Sequence, residues 1–140
     1  MWQQNHCGIF RTVDAGLNWD DITDFNGPAN FGFAVAAHET NPDVAWVVPG
    51  VSDINRIAVD QSLCVCRTDD GGKSWQDFRA GLPQQTAFDI TYRHALALQG
   101  EELVFGTTTG NLYHSIDAGE SWNTLSNNLP MVHSVEFAWV

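Results

Sequence analysis

Three groups of residues carry the side-chain types that chemistry requires. One is the stretch from Pro49 to Ser62, where Asp53, Asn55, Arg56 and Asp60 stand close together; with Arg79, Gln84 and Gln85 it offers carboxylate, amide and guanidinium groups suited to holding a ligand. A second is the run Asp89-Ile90-Thr91-Tyr92-Arg93-His94. The third is TDDGGKSW at 68–75, with a hydroxyl, two carboxylates, two glycines and a tryptophan in eight positions. That composition fits a calcium loop, a catalytic acid pair or a tight turn.

Repetition decides between these. TVDAGLNW begins at Thr12 and SIDAGESW at Ser115, and both share the skeleton [ST]-x-D-x-G-x-x-W with TDDGGKSW. The aligned columns are Thr12, Thr68 and Ser115; Asp14, Asp70 and Asp117; Gly16, Gly72 and Gly119; Trp19, Trp75 and Trp122. The aspartates lie 56 and then 47 residues apart, a period that belongs to stacked supersecondary units. A catalytic pair has no reason to occur three times, so the turn reading is preferred over metal or catalysis at Asp70. Apolar segments flank each copy, with Gly8-Ile9-Phe10, Cys64-Val65-Cys66 and Asn111-Leu112-Tyr113 before the turn and Ile22, Phe78 or Leu125 after it. Each motif therefore sits on a hairpin loop. There Gly supplies positive φ, Asp accepts loop amides, and Trp covers the hairpin while its indole N–H finds a partner.

These three copies resemble Asp-boxes, or bacterial neuraminidase (BNR) repeats, the turn signature of sialidases, photosystem assembly factors, sortilin-type receptors and some xyloglucan hydrolases. The resemblance implies a β-propeller, with the boxes on its periphery between the third and fourth strands of a blade, away from any active site. The wider pattern, including DVAWVVP, LCVCRTDDGGKSW, FDITYRHAL and LVFGTTTGNLY, is similar to bacterial sialidase-like and BNR-repeat glycosyl hydrolase-like proteins. Sialidase activity does not carry over with it. The Arg-Ile-Pro signature of that family is absent, and no position of this chain matches its arginine trio.

Composition agrees with a single all-β domain. Of 140 residues, 44% are hydrophobic and 11% aromatic, enough for one core. No apolar run approaches the roughly 20 residues of a membrane helix, and MWQQNHCGIF lacks the pattern of a signal peptide. Three cysteines, two of them on one strand, make no disulfide framework, so a reduced, cytoplasmic protein is expected. A formal charge of −11, from 17 acids against 6 bases, argues against nucleic acid. No cofactor and no metal is expected.

The apolar runs assign strands to blades of four antiparallel strands, A to D from the axis outward. Residues 7–23 read as strands C and D of a partial blade. Residues 31–79 read as a complete blade and 87–126 as another, with strand A of the latter over 87–98. Residues 132–139 read as a closing inner strand, and no helix is expected. Propellers close at about four to eight blades, so these strands do not close a ring by themselves. A two-fold homodimer of three blades per chain makes six; in it the closing strand of one chain joins the partial blade of its neighbour, with Met1 to Asn5 as strand B. The other reading is a segment of a larger propeller.

Function has to come from a site. The loop between strands B and C is short in one full blade, Thr108-Thr109-Gly110, and long in the other, from Pro49 to Ser62. Its polar tip makes Asp53, Asn55 and Arg56, with Arg79, the candidates for a ligand-facing surface. Asp89 and Arg93 fall on one side of an inner strand and either contact a ligand or form a structural ion pair with each other, the second being preferred. The expected function is a non-catalytic module that binds a protein or glycan partner on its loop face. The alternatives are a glycoside hydrolase or a fragment of one, and a chain that retains only folding and self-assembly.

Overall fold

The computed structural model describes residues 1–138. Among the described residues eleven strands form three antiparallel sheets in sequence order. The first contains β1 (Trp2–Asn5), β2 (Gly8–Arg11) and β3 (Asp20–Asp21). The second contains β4 (Phe31–Ala37), β5 (Ala45–Gly50), β6 (Val65–Thr68) and β7 (Gln76–Phe78). The third contains β8 (Leu96–Gln99), β9 (Glu102–Gly106), β10 (Leu112–Ser115) and β11 (Asn123–Ser126). Each strand pairs with the next in the chain, which is the up-and-down order of propeller blades. A single 3-10 turn over Val59–Gln61 is the only helical piece among the described residues.

The second blade is packed on both faces, and its sequence shows why. Ala45-Trp46-Val47-Val48 of β5 is apolar without alternation and fully buried. Trp46 and Val48 join Leu96, Leu103, Phe105, Tyr113 and Trp122 in a core shared with the third blade. Val47 instead joins Ile9, Cys64 and Cys66, in a core shared with the first. Successive side chains of a strand point to opposite faces, so a strand flanked by two blades is apolar throughout. Burying Trp46, 1% exposed, contributes roughly 4 kcal/mol. Phe105 lies edge-on to Trp122 at 4.8 Å and tilted on Tyr113 at 5.0 Å, which closes the third blade on itself.

Two strand expectations change. The strand expected over 87–98 starts only at Leu96. Residues before it bond to the loop between β9 and β10 instead of continuing a ladder: Thr108 N donates to Ile90 O at 2.9 Å, and the Asp89 carboxylate is held by the same loop. The closing strand expected over 132–139 is reduced to a parallel bridge between His94 and Ser134, with Val135 N donating to His94 O at 2.9 Å. A lone A strand without a strand B beside it has no ladder to join; Trp139 lies outside the described residues. In the first blade, Trp2–Asn5 takes the place read as strand B within this same chain, pairing Trp2 with Arg11 and Asn5 with Gly8.

Candidate functional site

The three repeat turns are one structure built three times. In the second, Thr68 Oγ1 donates to Asp70 Oδ1 at 2.9 Å and accepts from Gly72 N at 2.8 Å. Asp70 in turn accepts from Ser74 N at 3.0 Å and Ser74 Oγ at 2.6 Å. Thr12, Asp14, Gly16 and Asn18 repeat these contacts, as do Ser115, Asp117, Gly119 and Ser121. Gly16, Gly72 and Gly119 sit at φ of 92°, 90° and 85°. A Cβ on Gly72 would also clash with the Ile22 side chain, so no other residue fits there. Donors satisfy both oxygens of each aspartate. Backbone and side-chain bonds from Asn18 lower the Asp14 pKa to about 2, and bonds from Ser74 do the same for Asp70. A carboxylate so engaged is a poor general acid.

Sequence reasoning missed the residue before each tryptophan. Asn18, Ser74 and Ser121 each give a backbone and a side-chain bond to the turn aspartate. The signal was present as a short polar donor in all three copies. The tryptophans differ in what they meet. Trp122 donates to Gly119 O at 3.0 Å within its own turn, Trp75 donates to Ile22 O of the neighbouring blade at 3.1 Å, and Trp19 is 40% exposed.

The candidate binding residues separate into three places. Arg79 is structural: it donates to Asp77 at 2.6 Å and to Ser62 Oγ at 2.7 Å and Ser62 O at 3.2 Å, pinning β7 to the end of the long loop. Asn55 is exposed and shapes that loop through its backbone, N to Ser52 Oγ at 2.9 Å. Asp89 is buried and accepts from Thr109 Oγ1 at 2.5 Å and Asn111 Nδ2 at 2.8 Å. The ion pair expected between Asp89 and Arg93 does not form; the short loop after β9 supplies the donors that Asp89 needs, and Arg93 turns to an aromatic ring.

That ring is Phe33, the centre of the one cluster where candidates converge. The guanidinium of Arg93 lies 5.5 Å from its centroid and that of Arg56 5.1 Å. Phe31 packs edge-on at 5.3 Å, Tyr92 at 5.9 Å and His6 at 5.6 Å, while His133 stacks on Tyr92 at 5.9 Å. Phe31 and Phe33 are buried, so they form a fixed floor under two exposed cations. The Asp53 carboxylate, 2.6 Å from Arg56 Nη2, raises the Arg56 pKa further, and Tyr92 adds to the effect. His6 approaches the same Asp53 oxygen at 3.4 Å. Arg93 has no carboxylate within 4.0 Å among the described residues. The surface therefore presents one neutralised and one unneutralised guanidinium over aromatic rings, an arrangement that receives a carboxylate or another planar anion.

Comparison with known proteins places the fold. No protein-family model matches the chain. A GH74 enzyme of Niastella koreensis is similar over 93% of this chain and 20% of its own, with a TM-score of 0.65 at 14% identity. The GH74 xyloglucanase of Xanthomonas campestris is similar over 86% of this chain and 18% of its own, with a TM-score of 0.63 at 22% identity. YCF48 bound to D1 peptide is similar over 92% and 36%, with a TM-score of 0.60 at 21% identity. In sequence, the Photosystem II assembly lipoprotein Ycf48 of Synechococcus sp. (strain CC9902) is 30% identical over 88 residues, and vacuolar protein sorting/targeting protein 10 of Colletotrichum graminicola is 30% identical over 89. The matched part spans 62% of this chain, and 24% and 5% of those two relatives. Likeness at this level establishes architecture: the chain is a partial β-propeller of antiparallel blades.

Proposed function

We propose that this chain is a non-catalytic Asp-box propeller module that binds a protein partner through a carboxylate-bearing segment laid over the Phe33 face. The observation that carries this reading is the convergence of Arg56 and Arg93 on Phe33, at 5.1 and 5.5 Å. Overall charge is −11, but salt screens charges beyond roughly 8 Å, so the local guanidinium pair governs short-range recognition. Buried aromatics under arginine are the usual anchors of protein interfaces. The peptide held by the YCF48 structure supports a protein ligand on this architecture. The competing reading, a glycoside hydrolase or a fragment of one, needs two carboxylates facing one cleft; here Asp53 is engaged by Arg56 and His6, and Asp89 lines a different surface. Selection from a peptide library with free C-terminal carboxylates tests the proposal. Enrichment of acidic segments, with binding reduced about tenfold by Arg93→Ala and by Arg56→Ala, is the expected result. Enriched peptides that bind both variants as well as the parent would overturn it.

We further propose that the first blade is completed by a second copy of the chain, giving a six-bladed homodimer. By its place before the turn-bearing strand, β1 matches β5 and β9, and among the described residues no strand of that sheet matches β4 and β8. Residues 132–138 meet the chain at the bridge from Ser134 to His94, just before β8, and belong to no sheet. An unpaired edge of this kind favours pairing with another strand. Light scattering coupled to size exclusion should give the mass of two chains; the mass of one chain would sink the dimer.

A further inference from the structure

We propose that the cavity of about 490 Å³ formed beside Asp89, between the segment after β7 and the third blade, binds a neutral saccharide residue through its hydroxyl groups. This site shares no residue with the Phe33 face and does not depend on the function proposed for it.

Its central group is a carboxylate that the fold both buries and leaves open on one side. Asp89 is 4% exposed, yet it lines the cavity. Both of its hydrogen bonds, from Thr109 and Asn111, fall on Oδ1. Oδ2 receives none, and it is not sealed in the core: the one buried side-chain atom left without a partner among the described residues is Thr91 Oγ1. A carboxylate fixed by two donors on one oxygen and open on the other is set to accept a hydroxyl.

The surroundings select the ligand class. Tyr113, Asn111, Thr86, Thr124 and Asn127 line the same cavity, and among the described residues no Lys, Arg or His does. A negative charge without a cation beside it excludes anions. Tyr113 is 3% exposed and packed on Phe105, so its hydroxyl is held in place where it meets the cavity. Burial, with the Asp89 charge adding to it, raises its pKa to about 12, which keeps it a neutral group able to donate and accept. A single carboxylate among hydroxyls and amides that each donate and accept matches a ring of hydroxyls better than a metal ion, which needs several oxygen ligands of higher charge. Thr86 adds a further mark, since it holds a φ of 53° that a β-branched residue rarely adopts, and such residues cluster at ligand sites.

Nuclear magnetic resonance of the labelled chain tests this directly. Glucose, galactose, mannose and xylose are titrated separately while the side-chain amides of Asn111 and Asn127 are followed. At least one sugar should give saturable shifts at both amides. Asp89→Asn should weaken that binding about tenfold or more, the loss of a bond to a charged acceptor. Asn127→Ala, on the exposed rim where the fold tolerates it, should weaken it too, and Arg93→Ala should leave it unchanged. The proposal fails if none of the four sugars shifts these amides, or if both Asp89→Asn and Asn127→Ala bind as the parent does. It fails equally if methylammonium or calcium shifts them and no sugar does.

Discussion

Arg67 donates from Nη1 to the carbonyl of Ala118 at 3.2 Å, so a side chain of the second blade holds the repeat turn of the third. Trp46 Nε1 meets the same carbonyl at 2.7 Å. One blade earlier, Arg11 Nη1 reaches Gly71 O at 3.5 Å, and Gly71 occupies in its turn the position Ala118 occupies in the next. The turns are therefore clamps between blades as well as hairpin ends, and this explains their recurrence without any chemistry.

Removing the clamp should loosen the stack. Arg67 also pairs with Asp69 and Glu120 and lies 4.9 Å from the Phe78 ring, with its side chain only 15% exposed. Arg67→Ala is expected to cost about 1–2 kcal/mol, since a part-buried carbonyl loses its charged donor and keeps only the Trp46 indole. Arg67→Lys should recover only part of that, because an ammonium lacks the fork. Urea denaturation of the three chains gives the comparison.

Acid should act through the turn aspartates. Their pKa values in the folded chain, about 2 for Asp14 and Asp70, lie below the ordinary 3.8. Their contribution to stability is present above pH 4 and is lost as pH falls from about 4 through 2. Asp70→Asn should therefore be less stable than the parent at pH 6 and converge with it near pH 2. Thermal melts across that range decide it, and a difference independent of pH would contradict the carboxylate's role.

Gly72 should tolerate no side chain. Its φ of 90° and the approach of Ile22 combine backbone strain with a clash between blades. Gly72→Ala should lose more than about 1 kcal/mol, while Gly100→Ala, where a Cβ meets nothing within 4 Å, should lose less despite its φ of 60°. Parallel denaturation of both variants separates the two contributions.

Thiol chemistry should report the core. Cys7 is exposed, and Cys64 and Cys66 are buried in the packing between the first two blades. The neighbouring Cys66 thiol lowers the pKa of Cys64, and the same interaction together with burial raises that of Cys66. Access still governs reaction. A thiol reagent should modify Cys7 promptly in the native chain and all 3 cysteines after unfolding. Prompt reaction at Cys64 would mean that the first blade separates readily from the second.

The sequence by itself determined the repeat, the turns and the blade order. Periodicity and turn chemistry are local: Thr68, Asp70, Gly72 and Ser74 satisfy one another within seven residues, so their pattern is visible without tertiary contacts. The apolar run of β5 was likewise legible as a strand of a full blade, while its packing on both faces came from the neighbouring blades. Only the tertiary structure decided the sites. Phe33, Arg56 and Arg93 come from three different segments, and nothing local to any of them says that two cations share one ring. Asp89 and Arg93 looked like partners because strand alternation put them on one side, but residues 87–95 are not a strand. Asp89 found donors twenty residues further on, in Thr109 and Asn111, because a buried carboxylate takes the nearest donors in space, and spacing along the chain does not identify those.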